Sequence, residues 1–198
     1  MIHSDYIRLN RILAGVIFLI SFIVYFDTMA PTVSYWDCGE FIAVSHILGV
    51  PHPPGSPFFL LIGRIASMLP INADIAFRVN ILSPLTSALA VMFLYLIIVQ
   101  VVLHWRGKLE SAHDALVAFG GAIVGSMVFA FTDSHWFNAV EAEVYSFSTF
   151  FTAIVVWLIL HWSEKADEKG HERYILIIAY MIGLATGLHL LNLLTLPF

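Results

Sequence analysis

The chain has 198 residues, of which 60% are hydrophobic and only 12% charged, and its mean hydropathy is +0.87. A soluble domain carries about 45–50% apolar and about 25% charged residues, so this composition excludes an ordinary water-soluble globular fold. A formal net charge of -5 excludes a basic nucleic-acid binder, and the single cysteine, Cys38, excludes an internal disulfide or a thiolate metal cluster.

A bilayer core of about 30 Å needs about 20 mostly apolar residues per helix. The first such stretch lies between Arg11 and Asp27 and extends to Leu9 if Arg8 and Arg11 snorkel. It has no convincing small-residue cleavage site, so it reads as a retained anchor rather than a signal peptide. The next apolar stretch, residues 41–63, is broken by Pro51, Pro53, Pro54 and Pro57. Proline removes a backbone donor and disrupts a helix interior. This stretch is therefore expected to form two short interfacial or re-entrant helices joined at His52-Pro53-Pro54-Gly55. Irregular backbone at membrane depth survives only where protein or a wet cavity covers it, which makes residues 27–78 the most unusual region. Further spans are expected from Val79 to Trp105, between Asp114 and Asp133, between Glu143 and Glu164, and from Tyr174 to the end.

The predicted fold class is all-α: a polytopic membrane protein of about five transmembrane helices, with short interfacial helices in the first outer loop. Residues 1–198 read as one module. The chain stops at Pro197-Phe198 without a polar tail, so it is expected to be the N-terminal portion of a longer protein. With the N-terminus inside, the inner segments hold Arg8 and Arg11, then Arg106 and Lys108, then Lys165, Lys169 and Arg173, whereas the outer segments hold only Arg64 and Arg78. That is a positive-inside pattern.

This orientation gathers Asp37, Glu40, His52, Glu141 and Glu143 on the outer side. A helix starting near Asp37 puts Asp37 and Glu40 on one face through their i,i+3 spacing. The same pair also reads as an N-cap aspartate and a first-turn glutamate. The proline-rich turn can hold His52 in one place, or can simply be a corner. One of Glu141 and Glu143 could face Asp37 across a cavity and bind a divalent cation or share acid–base work; both could equally mark the water boundary. Arg64 and Arg78 suit a lipid-linked phosphate, with snorkelling or pairing as the plain alternative. His189 lies within the last expected span, where a histidine is either functional or a hydrogen-bonded core residue.

The run Asp37-Cys38-Gly39-Glu40-Phe41-Ile42-Ala43, followed by Leu48-Gly49-Val50-Pro51-His52-Pro53-Pro54-Gly55-Ser56-Pro57, resembles a signature of the membrane protein O-mannosyltransferase-like family, placed in the GT-C glycosyltransferase superfamily. Ala76-Phe77-Arg78-Val79-Asn80, Ala142-Glu143-Val144-Tyr145-Ser146 and the glycines before His189 are similar to further family motifs. Cys38 stands where the family usually has Ser, and Ser56 where it usually has Tyr. The resemblance implies an inverting transfer of a sugar, mannose, from a polyprenyl-phosphate donor to a protein Ser or Thr hydroxyl at the outer membrane–water interface. It implies Asp37 as the base and Glu40 as its orienting partner, with His52, Arg64, Arg78, Glu143 and His189 binding substrate. No cofactor is certain; a divalent metal is an open option, with Asp37 and Glu143 as candidate ligands. The implied partners are the lipid-linked donor, an acceptor protein and membrane lipid. The implied location is a bacterial inner membrane with the site facing the periplasm, or the ER membrane with the site facing the lumen. The competing readings are a transporter or lipid-handling protein with a broken-helix path, and an inactive scaffold.

Overall fold

The described residues, 2–107, 109 and 111–195 of a computed structural model, form helices joined by loops, with no strand among them. In order, the helices are α1 (Ile2–Thr28), α2 (Cys38–Ile47), α3 (Pro57–Met68), α4 (Ile75–Asn80), α5 (Leu82–Arg106), α6 (Ala112–Ala130), α7 (Asp133–Ala139), α8 (Val144–Ser163) and α9 (Glu172–Thr186), followed by a 3-10 turn, Leu190–Thr195. Among the described residues four helical stretches are long and apolar enough to cross a membrane: α1, the α4–α5 unit, α6 and α8. Lys108, which the charge pattern counts on the inner side, and the terminal Pro197-Phe198 lie outside the described residues.

Local chemistry places the helix boundaries. Ser111 and Asp114 close a reciprocal capping box at the start of α6. The Asp74 carboxylate accepts the Ala76 N–H at 2.7 Å and so starts α4. Between α4 and α5 the interruption falls at Ile81, four residues after Phe77 and three before Pro84. Pro84 has no N–H to offer the Asn80 carbonyl, so the helical ladder loses a rung there.

The long helix α5 is central and packs against α1, α6 and α8. Small side chains, including Ala88, Ala118 and Ala122, are buried in the seam, which lets the backbones approach closely. The Tyr25 hydroxyl donates to the Ala130 carbonyl at 2.7 Å and ties α1 to α6. Ile12, Leu19 and Ile23 on α1, and Val124 and Val128 on α6, face outward. In water such stripes would drive aggregation; in lipid they are the solvated face.

A second core joins α2, α3, α4 and α8 through Phe41, Phe59, Val79 and Phe147. The two short helices in the first loop are those expected from the prolines. Gly55, at φ 95°, turns the chain, and Pro57 opens α3. Helices α2 and α3 touch at Gly63, where an added Cβ would stand 2.5 Å from Ser45 Oγ.

The segment expected as a fifth span differs. Helix α9 has 15 residues, about 22 Å of rise, which is shorter than the bilayer core. The chain unwinds at Gly187-Leu188, and the freed carbonyls have partners in the first loop. The Phe58 N–H donates to Gly187 at 2.9 Å, and the Ser56 hydroxyl donates to Leu188 at 2.8 Å. The break thus satisfies the orphan donors at the start of α3.

The loops after α1 and after α7 meet at one end, where the Ala30 N–H donates to the Val140 carbonyl at 2.8 Å. At the other end a cavity of about 610 Å³ is lined by Tyr6, Asn10, His104, Gly107 and Glu164, and so gathers the α1 start, the α5 end and the end of α8. The chain therefore has two faces, one holding the acidic loops and one holding the basic connections.

Candidate functional site

Three side chains converge at the start of α2. Asp37, Glu40 and His52 each offer one ligand-type atom, and these atoms lie within 4.8 Å of one another. One helical turn brings Asp37 and Glu40 onto the same face, and the proline-rich turn returns His52 over them. Glu40 holds the histidine twice: one carboxylate oxygen accepts the His52 backbone N–H at 2.8 Å, and the other pairs with Nδ1 at 2.7 Å. Nε2 then faces the Asp37 carboxylate at 3.9 Å. The ring also packs on Phe41, with centroids 5.8 Å apart.

Asp37 stands at the N-cap of α2, yet its side chain makes no capping hydrogen bond. Its side chain is 56% exposed. The capping interpretation therefore does not account for this residue, and its carboxylate is presented to the surface. Hydrogen bonding to His52 holds the Glu40 carboxyl below its usual range. Hydrogen bonding to Glu40 raises His52, with the Asp37 charge adding. The pair therefore favours an imidazolium beside Asp37.

The loop between α7 and α8 supplies two buried acids. Glu143, at the N-cap of α8, is 6% exposed. Burial pushes its carboxyl up to about 7, and the charges of Glu141 and Asp37 push the same way. Glu141 is 2% exposed, and its Oε1 has no hydrogen-bond partner. Cys38, fully buried between these loops, is raised by burial. It is a packed thiol rather than a reactive one.

The other candidates sit elsewhere in the same region. Arg64 donates to the His46 carbonyl. Arg78 donates to the carbonyls of Asn72 at 2.6 Å, Ser67 at 2.9 Å and Ala73 at 3.4 Å. It clamps the loop between α3 and α4, and it retains two further N–H groups. His189 lies at the unwound end of α9, not inside a helix, with its ring 5.4 Å from that of Tyr145. The structure thus brings together Asp37, Glu40 and His52, with Glu143 close enough for its charge to be felt at His52.

One residue of this region was not singled out from the sequence. Asn80, fully buried, donates to the carbonyls of Ala30 and Thr32 and accepts from the Ala142 N–H. An amide in an otherwise apolar run is the signal that could have marked it.

The model of the family described as Protein O-mannosyl-transferase TMEM260 N-terminal domain matches residues 37–198. The chain is similar to the protein O-mannosyl-transferase tmem260 of Dictyostelium discoideum, 32% identical over 92% of this chain and 22% of that protein. It is also similar to the protein O-mannosyl-transferase TMEM260 of Mus musculus, 30% identical over 75% of this chain and 19% of that protein. The chain thus spans about a fifth of the length of these relatives. No solved structure matches it.

Proposed function

Because this chain belongs to the protein O-mannosyl-transferase TMEM260 N-terminal domain family, we propose that it carries the catalytic loops of a GT-C type inverting glycosyltransferase. The donor is a polyprenyl-phosphate-linked mannose and the acceptor is a protein Ser or Thr hydroxyl. The observation that supports this most is the convergence of Asp37, Glu40 and His52 on one exposed point at the end of the helical bundle.

In this reading Asp37 takes the hydroxyl proton. The acceptor oxygen attacks the anomeric carbon, the bond from that carbon to the phosphate oxygen breaks, and the lipid phosphate leaves from the opposite face. Glu40 fixes the His52 ring, and the ring faces and orients Asp37. A buried acid near neutrality, Glu143, stands behind them to exchange protons. The N–H groups that Arg78 retains, with Arg64, meet the phosphate. His189, beside Tyr145 at the mouth of α8, contributes to substrate binding. The site belongs on the outer face, periplasmic in a bacterium or lumenal in the ER. Two carboxylates with ligand atoms within 4.8 Å of His52, whose imidazole becomes a donor on giving up its proton, are also a set that fits a divalent cation. Such a cation would neutralise charge developing on the leaving phosphate.

The test uses membranes containing the protein, radiolabelled polyprenyl-phosphate mannose and a Ser/Thr-bearing acceptor. The parent should place label on protein. Asp37→Asn, present at the same level in the membrane, should lose transfer by about 10²-fold or more. Label that crosses the bilayer without joining protein would favour the transporter instead.

A further inference from the structure

Asn80 ends α4 and is fully buried. A primary amide has two donor hydrogens and two acceptor lone pairs, and here all four are used. Nδ2 donates to the Ala30 and Thr32 carbonyls, both at 2.9 Å. Oδ1 accepts from the Ala142 N–H at 3.1 Å and from the Cys38 thiol at 3.6 Å. These partners come from three places: the entry to the first outer loop, the residue following Asp37, and the residue between Glu141 and Glu143. None lies on the helix that carries Asn80.

We infer that Asn80 is a positioning residue of the transfer site, whose carboxamide locks the Asp37 end of the first loop against the acidic segment of the second. This rests on the transferase reading given above. The backbone at residues 30–36 and 140–143 is not part of a helix, so it has no ladder of its own to hold register. The amide supplies that register from a rigid helix end. Glu143 is faced by Glu141 from its own loop, Asp37 from the start of α2 and His52 from the turn before α3. Loosening the lock lets the segment that carries Asp37 shift against the segment that carries Glu143.

The experiment compares Asn80→Asp, Asn80→Ala and Asp37→Asn with the parent, in membranes and in the natural-length protein. Asn80→Asp has the same size and keeps the acceptor but loses both donors. Transfer kinetics, the pH–rate profile and N-ethylmaleimide labelling mapped to Cys38 are read together. The inference expects kcat to fall about tenfold or more in both Asn80 variants, with both KM values held within about twofold. It also expects a displaced pH–rate limb and newly reactive Cys38. A residue that serves only to fold the protein would reduce yield without moving the profile. Parent-like kcat and profile with Cys38 still shielded would overturn the inference. If Asn80→Ala is not recovered in membranes, Asn80→Asp decides alone. If Asp37→Asn still transfers sugar, the transferase reading falls; Cys38 labelling then judges the lock separately, a shielded thiol in Asn80→Asp overturning it.

Discussion

A carboxyl buried beside two others has a measurable consequence. The folded value for Glu143, about 7, lies above its ordinary value of 4.5. Its contribution to stability is therefore fully present below pH 4.5 and is lost as pH rises through 7. The raised His52 acts in the same direction, whereas the depressed Glu40 loses its contribution as pH falls. Glu143→Gln cannot ionise, so its thermal unfolding in detergent should vary less between pH 5 and 8 than the parent's. An equal slope in both proteins would place the titration elsewhere. Arg78 presents a different case, since three of its donors are already bonded to carbonyls. If its remaining N–H groups meet the donor phosphate, Arg78→Ala should raise the donor KM more than the acceptor KM. Equal effects on both would mean that the arginine only braces its loop.

At the scale of elements, the contact between α2 and α3 sets where His52 returns. Gly63→Ala puts a methyl 2.5 Å from Ser45 Oγ and 2.9 Å from its Cβ, so the helices must part. The expected cost is about 1–3 kcal/mol, read as a lowered unfolding temperature, with partial recovery in Gly63→Ala combined with Ser45→Gly. These two helices were legible in the sequence because four prolines interrupt an uncharged run and an acid pair precedes it. Asp37, Glu40 and His52 were legible for the same reason, through helical spacing and a rigid turn. Other features were not. The end of α9 depends on carbonyls accepting from Ser56 and Phe58, about 130 residues earlier, and an apolar run does not announce such a partner. Asn80 is similar: its partners lie 42 to 62 positions away, which no local pattern encodes. Arg78 was read as a phosphate ligand or as a snorkelling or paired cation; its bonds to three loop carbonyls depend on the curl of the preceding loop, which no spacing shows.

Across the whole molecule, the arrangement separates two faces. The acidic loops are joined through Ala30 and Val140, and the segments that line the 610 Å³ cavity lie at the opposite end. Single cysteines introduced at Tyr35 and Ser134 in a Cys38→Ser background should therefore label from one side of sealed vesicles, and one at Lys169 from the other. Labelling of Tyr35→Cys and Lys169→Cys from the same side would contradict this topology. The proposed transfer of sugar at the acidic face has Asp37 and His52 acting as one unit. Its most direct measurement is the single-turnover rate of mannose transfer for Asp37→Asn, His52→Gln and the double variant. Asp37→Asn should lose about 10²-fold or more, with little further loss in the double variant, because groups acting together are not additive. Transfer by Asp37→Asn at the parent rate would contradict it.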